Sequence, residues 1–268
     1  MPIGFQRKKT QLARYLAERR WRPLMLVACA VIVHAGEAAS ASTLVLSDTY
    51  DTPYTTPAGD GFLDLVIKEA FERAGLKVSM LPVSPERALL NANAGIEDGV
   101  SARIAGLEKQ YPNLVRVPEK VLDFPFVAFA RNGRVAEANW AALAHVSVGH
   151  IHGWKLFEQN LKPGTPTTIV DSAEQLFSML AKDRVDVALY ERWLGLALAR
   201  RMGINDIRVV EPALAEREMF VYLHKRHADK VPALAAAIRA LKADGFYARV
   251  CREKFAPLAA SAAQCDVK

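Results

Sequence analysis

Beyond residue 42 the apolar positions change period repeatedly. Residues 43–47 (TLVLS) read as a short strand. Over 62–74 the period becomes helical. Leu63, Val66, Ile67, Ala70, Phe71 and Ala74 fall on one face, and Gly75 supplies the stop. Residues 77–83 predict a second strand. Ser84-Pro85 then reads as an N-cap followed by proline at the first helical position, opening a helix that runs to Gly95. Residues 98–102 predict a third strand. The order β-α-β-α-β belongs to a parallel sheet with crossover helices.

The alternation then breaks. Residues 114–134 are mostly extended and are interrupted by Pro118, Pro125 and Gly133. Strands are next predicted over 145–148, 167–170, 185–189 and 207–210. Helices are predicted over 153–161, from Ser172 (with Gln175 as a capping box) through Lys182, and over 191–202, closed by Gly203. A second extended stretch, 217–224, precedes two helices over 228–243 and 246–255. The expected fold is α/β with two lobes, each a mainly parallel sheet with flanking helices. Lobe one takes residues 42–130 and 216–268; lobe two takes 131–215. The chain would cross between them twice, near 130–133 and 212–216, and two crossings side by side make a hinge. The terminal helices have no sheet of their own, which argues against two sequential domains.

Charge changes the picture once it is located. The chain carries a net charge of +6, which invites a nucleic-acid partner. Residues 1–41 hold seven Lys/Arg against Glu18 and Glu37, leaving a net of +1 for the rest. No basic stripe with interleaved aromatics remains, so no nucleic acid is expected. The basic start, the twelve-residue run LMLVACAVIVHA and the small residues ending in Ala39-Ser40-Ala41 have the order of a cleaved export signal. The run is short for a membrane span, although an uncleaved anchor is the alternative. The mature chain is expected to begin near Ser42, in the periplasm. Cys29 leaves with the signal. Cys251 and Cys265 remain as an even pair in an oxidising compartment, where a disulfide between them is expected.

Ligands of open α/β sheets sit at the carboxyl ends of the strands. In lobe one those ends offer Asp48, Tyr50 and Tyr54, then Glu86 and Arg87, then Ser101 and Arg103. In lobe two they offer residues 149–154, including His152 and Trp154, then Asp171 and Ser172, then Tyr190 and Glu191. Aromatics mixed with charges of both signs suit a small polar ligand, with ring faces packing on it and charges orienting it. Arg103 and Glu191 are expected to face each other across one pocket walled by Tyr54 and Trp154. His150 and His152 raise the question of a metal, but no third ligand stands at a convincing spacing, so no metal and no cofactor are expected.

The whole mature chain resembles the family-3 periplasmic solute-binding proteins of bacterial ABC transporters, the type that includes amino-acid binders. The resemblance is carried by Asp48 through Phe62 with Asp64, by Ala94-Gly95-Ile96-Glu97-Asp98-Gly99, by Val148-Gly149 through Gly153, and by Arg184-Val185-Asp186-Val187-Ala188 before Glu191. It implies a type II two-lobe fold, a small-molecule ligand bound by hinge closure, a monomer, and a membrane permease as partner. Family amino-acid binders carry Thr-x-x-Arg after the third strand, where the arginine grips the ligand carboxylate. Here those positions are Leu107 and Gln110, and Arg103, nearer the strand end, stands as the substitute. Glu191 matches the acid that meets an ammonium in many relatives. Two other classes stay open: a cyclohexadienyl-dehydratase-like enzyme on the same fold, with Glu86 or Glu191 as acid–base, and a sensory subunit serving a membrane receptor.

Overall fold

The structure, a computed structural model, describes residues 43–49, 51–131, 135–258 and 265. The expected signal segment, Tyr50 and residues 132–134 lie outside them. Lobe one opens with β1 (Thr43–Asp48), α1 (Phe62–Arg73), β2 (Lys77–Pro82), α2 (Pro85–Ala94) and β3 (Gly99–Ile104). The caps match the sequence pattern. The Asp64 carboxylate accepts the Gly61 N–H at 3.0 Å and closes the start of α1. Gly75, in the left-handed region at φ +72°, ends it, and the Leu76 N–H reaches the Phe71 carbonyl at 2.8 Å.

Two eighteen-residue strands, β4 (Leu114–Arg131) and β8 (Ile207–His224), dominate the remainder of the sheet. Between them lie β5 (Val148–Ile151), α3 (Lys155–Asn160), β6 (Thr167–Val170), α4 (Ala173–Ala181), β7 (Val187–Glu191) and α5 (Arg192–Arg201), and the described chain closes with α6 (Val231–Ala243) and α7 (Phe246–Phe255). The strand order is β2-β1-β3-β8-β4-β7-β5-β6. Within each half the strands are parallel (β1 with β2 and β3; β5 with β6 and β7), and β4 and β8 pair antiparallel to each other and to their other neighbours.

The strand expected over 207–210 and the extended stretch 217–224 are one strand. Pro212 lies between them, where a crossing between the lobes is expected, and the ladder tolerates it. Phe126 pairs with Ala215 and Ala128 with Val210, so residues 211–214 bulge out where the proline removes no ladder bond. The β4 strand pairs with β7 from Phe126 to Ala130. Those five residues therefore join the second lobe's sheet, whereas the sequence pattern assigns them to lobe one. The strand expected over 145–148 lies at Val148–Ile151, because residues 142–145 form a 3-10 turn that buries Leu143.

One core lies under α1, α6 and α7 and includes Phe62, Phe71, Leu234, Ile238 and Phe255. As expected, Cys251 is disulfide-bonded to Cys265, and both are buried in this core. The second lobe has a core on each face of its sheet, one around Phe129 and Phe177 and one around Leu143 and Phe157. Helix α5 joins the lobes. Its first turn sends Trp193 and Leu194 into the lobe-one core, where Trp193 stacks on Phe255 at 4.6 Å.

Gly195, one turn into α5, lies against the ring of Phe129, and a Cβ there would overlap that ring and contact Phe177 at 2.9 Å. Gly195→Ala gains up to about 1 kcal/mol of helix propensity, but the overpacking costs about 1–3 kcal/mol in a fully buried site. We expect the denaturant midpoint of Gly195→Ala to fall.

Candidate functional site

The carboxyl ends of β1 and β3 carry polar groups that the protein itself leaves unpaired. Ser47 pairs in register with Val100, which sets Asp48 beside Ser101 on the adjacent strand. Asp48 is only 6% exposed and Ser101 is fully buried. The Thr49 N–H donates to Asp48 Oδ1 at 2.7 Å; Asp48 Oδ2 and Ser101 Oγ make no hydrogen bond of ordinary geometry, although the Ser101 hydroxyl lies near enough to help hold the Asp48 charge. Arg103 donates from Nη1 to the Ala102 carbonyl at 2.6 Å, and its Nε and Nη2 are buried without partners. Burial pushes the Asp48 carboxyl up to about 6, a rise that Ser101, the Thr49 N–H and Arg103 each reduce. Burial also draws Arg103 below its usual range, against the pull of Asp48 and Asp51. A buried polar atom without a partner costs about 1–3 kcal/mol, and with the Ser47 hydroxyl four side chains on these two adjacent strands carry such atoms, which makes the cluster a candidate ligand contact.

Glu191, at the end of β7, has the opposite character. It is fully buried and both oxygens are engaged: Tyr54 Oη donates to Oε1 at 2.8 Å, and the Leu194 N–H donates to Oε2 at 2.7 Å, capping α5. Burial raises its carboxyl to about 7. Burial and the neighbouring Glu191 hold the Tyr54 hydroxyl protonated far above its ordinary range. Arg192 does little to offset this, because its guanidinium forks onto Glu211 at 2.6 and 2.9 Å. The expectation that Glu191 faces Arg103 across a pocket is therefore corrected. The hydroxyl of Tyr54 and the α5 backbone take both its oxygens. Tyr54 is corrected too: at 3% exposure it belongs to the junction of the lobes and is no open wall.

Tyr54 starts a run of aromatic rings. It stacks on Phe124 at 5.6 Å; Phe124 meets Phe126 at 5.4 Å, Phe126 meets Trp154 at 5.8 Å, and Trp154 meets Tyr190 at 4.7 Å. Phe124, Phe126, Gly153, Trp154, Lys155 and Leu156 line a groove of about 280 Å³. Asp51, on the loop after β1, contributes to holding the Tyr190 hydroxyl above its usual range, after burial, so the first-lobe loop lies within electrostatic reach of the second lobe's strand end. Phe124 and Phe126 line this groove, and the strand-end rule misses them. Their signal is the alternation in DFPFVAF, which places them on one face of β4.

Asp48, Ser101 and Arg103 thus come together on one lobe, and Trp154 and Tyr190 on the other. Arg87 does not join them. It stands exposed in the first turn of α2 with no hydrogen bond or ion pair among the described residues. The side chain of His152 is also exposed, and only its backbone is engaged, donating to the Val170 carbonyl at 2.8 Å. The strand-end rule fails at both because each sits past its strand, on a helix or turn that leaves the side chain in solvent.

Removing the Tyr54 hydroxyl leaves a buried oxygen of Glu191 unpaired, so Tyr54→Phe should cost about 1–3 kcal/mol of stability. The pH dependence has a definite sign. In the unfolded chain Glu191 ionises near 4.5, whereas folding holds its proton to about 7. Its contribution is fully present below the lower value and is lost as pH rises through the upper one. Over that interval its slope reaches at most about 1.4 kcal/mol per pH unit. Thermal melts from pH 4 to 8 should show the stability of the wild type declining more steeply across this window than that of Glu191→Gln.

No family model matches the chain. An uncharacterized protein of Shewanella oneidensis strain MR-1 is 25% identical over 197 residues, which span 69% of this chain and 73% of that protein. Among solved structures, a histidine kinase sensor domain described as similar to periplasmic binding proteins superposes with a TM-score of 0.65 at 16% identity, covering 80% of this chain and 96% of that one. An ancestral arginine-binding protein bound to glutamine gives 0.62 at 17% identity, covering 80% and 97%. The substrate-binding protein of an amino-acid ABC transporter gives 0.61 at 15% identity, covering 80% and 99%. At these identities the likeness shows the fold, which is that of the type II periplasmic binding proteins.

Proposed function

We propose that this protein is an exported, monomeric binding protein that captures a small carboxylate-bearing solute, an amino acid or a relative of one, between its two lobes and delivers it to a membrane ABC permease. The observation that carries the reading is the set of unpaired buried groups on Asp48, Ser101 and Arg103. A guanidinium with Nε and Nη2 both free offers a two-pronged fork to a carboxylate. The rings of Trp154 and Tyr190 give the second lobe a surface to close on it. A ligand that touches both lobes binds the closed form better and so draws the hinge shut. The solved binding proteins of like fold support the capture step, and the N-terminal order of basic, apolar and small residues supports export.

A sensory reading stands second, favoured by the likeness to the kinase sensor domain. It shares the capture step and differs only in the partner that receives the closed form. An acid–base enzyme is less favoured, because Glu191, the carboxyl with the highest pKa near the cleft, has no free oxygen to offer a substrate.

Two measurements test the proposal. Calorimetric titration against the twenty L-amino acids and simple carboxylates should find a ligand, and Arg103→Ala should weaken it by roughly ten- to a hundredfold, the loss of one charged hydrogen-bond partner. Silence across the whole panel would refute solute capture of this class. Intact-mass measurement of the exported protein should show a mature chain beginning near Ser42; retention of Met1 would refute cleavage.

A further inference from the structure

At the amino edge of the first lobe's parallel strands, three arginines and a phenylalanine ring share one concavity. Arg73, Asp244, Gly245, Phe246, Arg249 and Arg252 line about 510 Å³ that is open to solvent. Its place follows from the topology. α1 follows the carboxyl end of β1 and ends at Arg73, four residues before Lys77, which opens β2 and pairs with Thr43 at the amino edge. α7 starts beside it at Phe246 and carries Phe255 to Tyr54 and Trp193 at the junction of the lobes, about 15 Å along a ten-residue helix. The concavity is therefore separate from the strand ends where a solute is captured.

Its one acid is already engaged. Asp244 accepts the Phe246 N–H at 3.0 Å with Oδ1 and pairs with Arg73 through Oδ2, and Arg73 also donates to Glu69 at 2.7 Å. The Phe246 N–H and Arg73 hold the Asp244 carboxyl below its usual range, and Arg249 adds to that pull. Arg249 and Arg252 themselves have no hydrogen bond or ion pair among the described residues. Glu253, the acid one turn on from Arg249, pairs with Lys254 at 3.0 Å. Like charges three residues apart on one helix repel, and the fold leaves these two uncompensated. The ring of Phe246 orders two of the three guanidiniums: the central carbon of Arg249 stands 4.8 Å from its centroid and that of Arg73 5.5 Å. Stacking uses the face of a guanidinium and leaves its in-plane N–H donors free for an oxyanion.

We propose that this concavity binds a phosphate monoester, borne by a soluble molecule or by an anionic lipid headgroup, with Arg249 and Arg252 donating to its oxygens and Arg73 as the flanking charge. The donor set selects the class. A carboxylate has two oxygens, which a single arginine fork satisfies. A phosphate monoester presents three terminal oxygens and close to two negative charges near neutral pH, so it accepts from two forks at once and offsets both unpaired cations. Asp244 does not compete for them, because the start of α7 and Arg73 occupy its oxygens.

The test titrates the full protein with glycerol 3-phosphate and, separately, sediments it with phosphatidylcholine vesicles containing phosphatidic acid, which carries the same monoester on a lipid. At least one of the two should bind, and the double variant Arg249→Gln, Arg252→Gln should weaken that binding by about tenfold or more. Both side chains are exposed, so the variant should melt with the wild type. Arg87→Gln, which removes an exposed arginine on another face of the same lobe, should bind as the wild type does. Binding of glycerol 3-phosphate assigns the site to a soluble ester, and binding to the vesicles alone assigns it to a membrane surface. Binding of neither would overturn the site, as would binding that survives the double substitution or falls equally in Arg87→Gln. Each of these outcomes leaves solute capture, tested at Arg103, where it stands.

Discussion

The antiparallel pairing of β4 with β8 is the constraint on which everything else hangs. Each strand is eighteen residues long, roughly 60 Å of extended chain. Each gives one end to each lobe. Near the middle the ladder slips, with Phe126 opposite Ala215 and Ala128 opposite Val210. A ribbon that is continuous in backbone but interrupted in register can bend there while both ends stay fixed in their sheets. The two parallel three-strand sets then hang from its ends with their carboxyl edges toward the middle of the ribbon. The polar groups of β1 and β3 and the rings at the ends of β5 and β7 therefore stand at the strand ends nearest the middle of the ribbon, with no long-range sequence motif required.

A second contact ties the lobes away from the ribbon. Helix α5 starts in the second lobe's sheet but buries Trp193 and Leu194 in the first lobe's core, and the Tyr54–Glu191 hydrogen bond lies at that junction. Apolar burial supplies the attraction, and the polar pair fixes the geometry. Burying an acid is expensive unless its oxygens are satisfied. Here a phenol and a helix N-terminus do so, and both remain donors over the whole neutral range, so the junction holds whether Glu191 is protonated or ionised.

Much of the fold was legible because periodicity and caps are local. Ser84-Pro85, Gly75 and the Ser172–Gln175 pair each announce a helix end from a few residues, and the structure places those ends within a residue or two. Pairing is not local. Pro212 looks like the end of a strand because nothing nearby tells that β8 resumes its ladder after a four-residue bulge. The site shows the same division. The strand-end rule finds Asp48, Ser101 and Arg103, whose polar groups the structure clusters, and Trp154 and Tyr190, whose rings it brings together. The role of Glu191 does not, because its partner Tyr54 lies 137 residues away and the sequence records only that both are near strand ends.

Asp48 and Glu191 show how burial alone fails to separate structure from function. Both are acids at strand ends, both nearly or fully buried, and in both desolvation is the largest cause of a raised pKa. What differs is satisfaction. Every oxygen of Glu191 has a donor supplied by the chain, so its energy is settled within the folded protein and mutation there should act first on stability. Asp48 keeps one oxygen unpaired beside the unpaired Ser101 hydroxyl and near an unpaired edge of Arg103. Folding carries that cost without recovering it, and a group that binds only the native state can recover it. Under the proposed capture of a solute, substitution of Arg103 should therefore act first on affinity, whereas substitution of Glu191 acts first on stability.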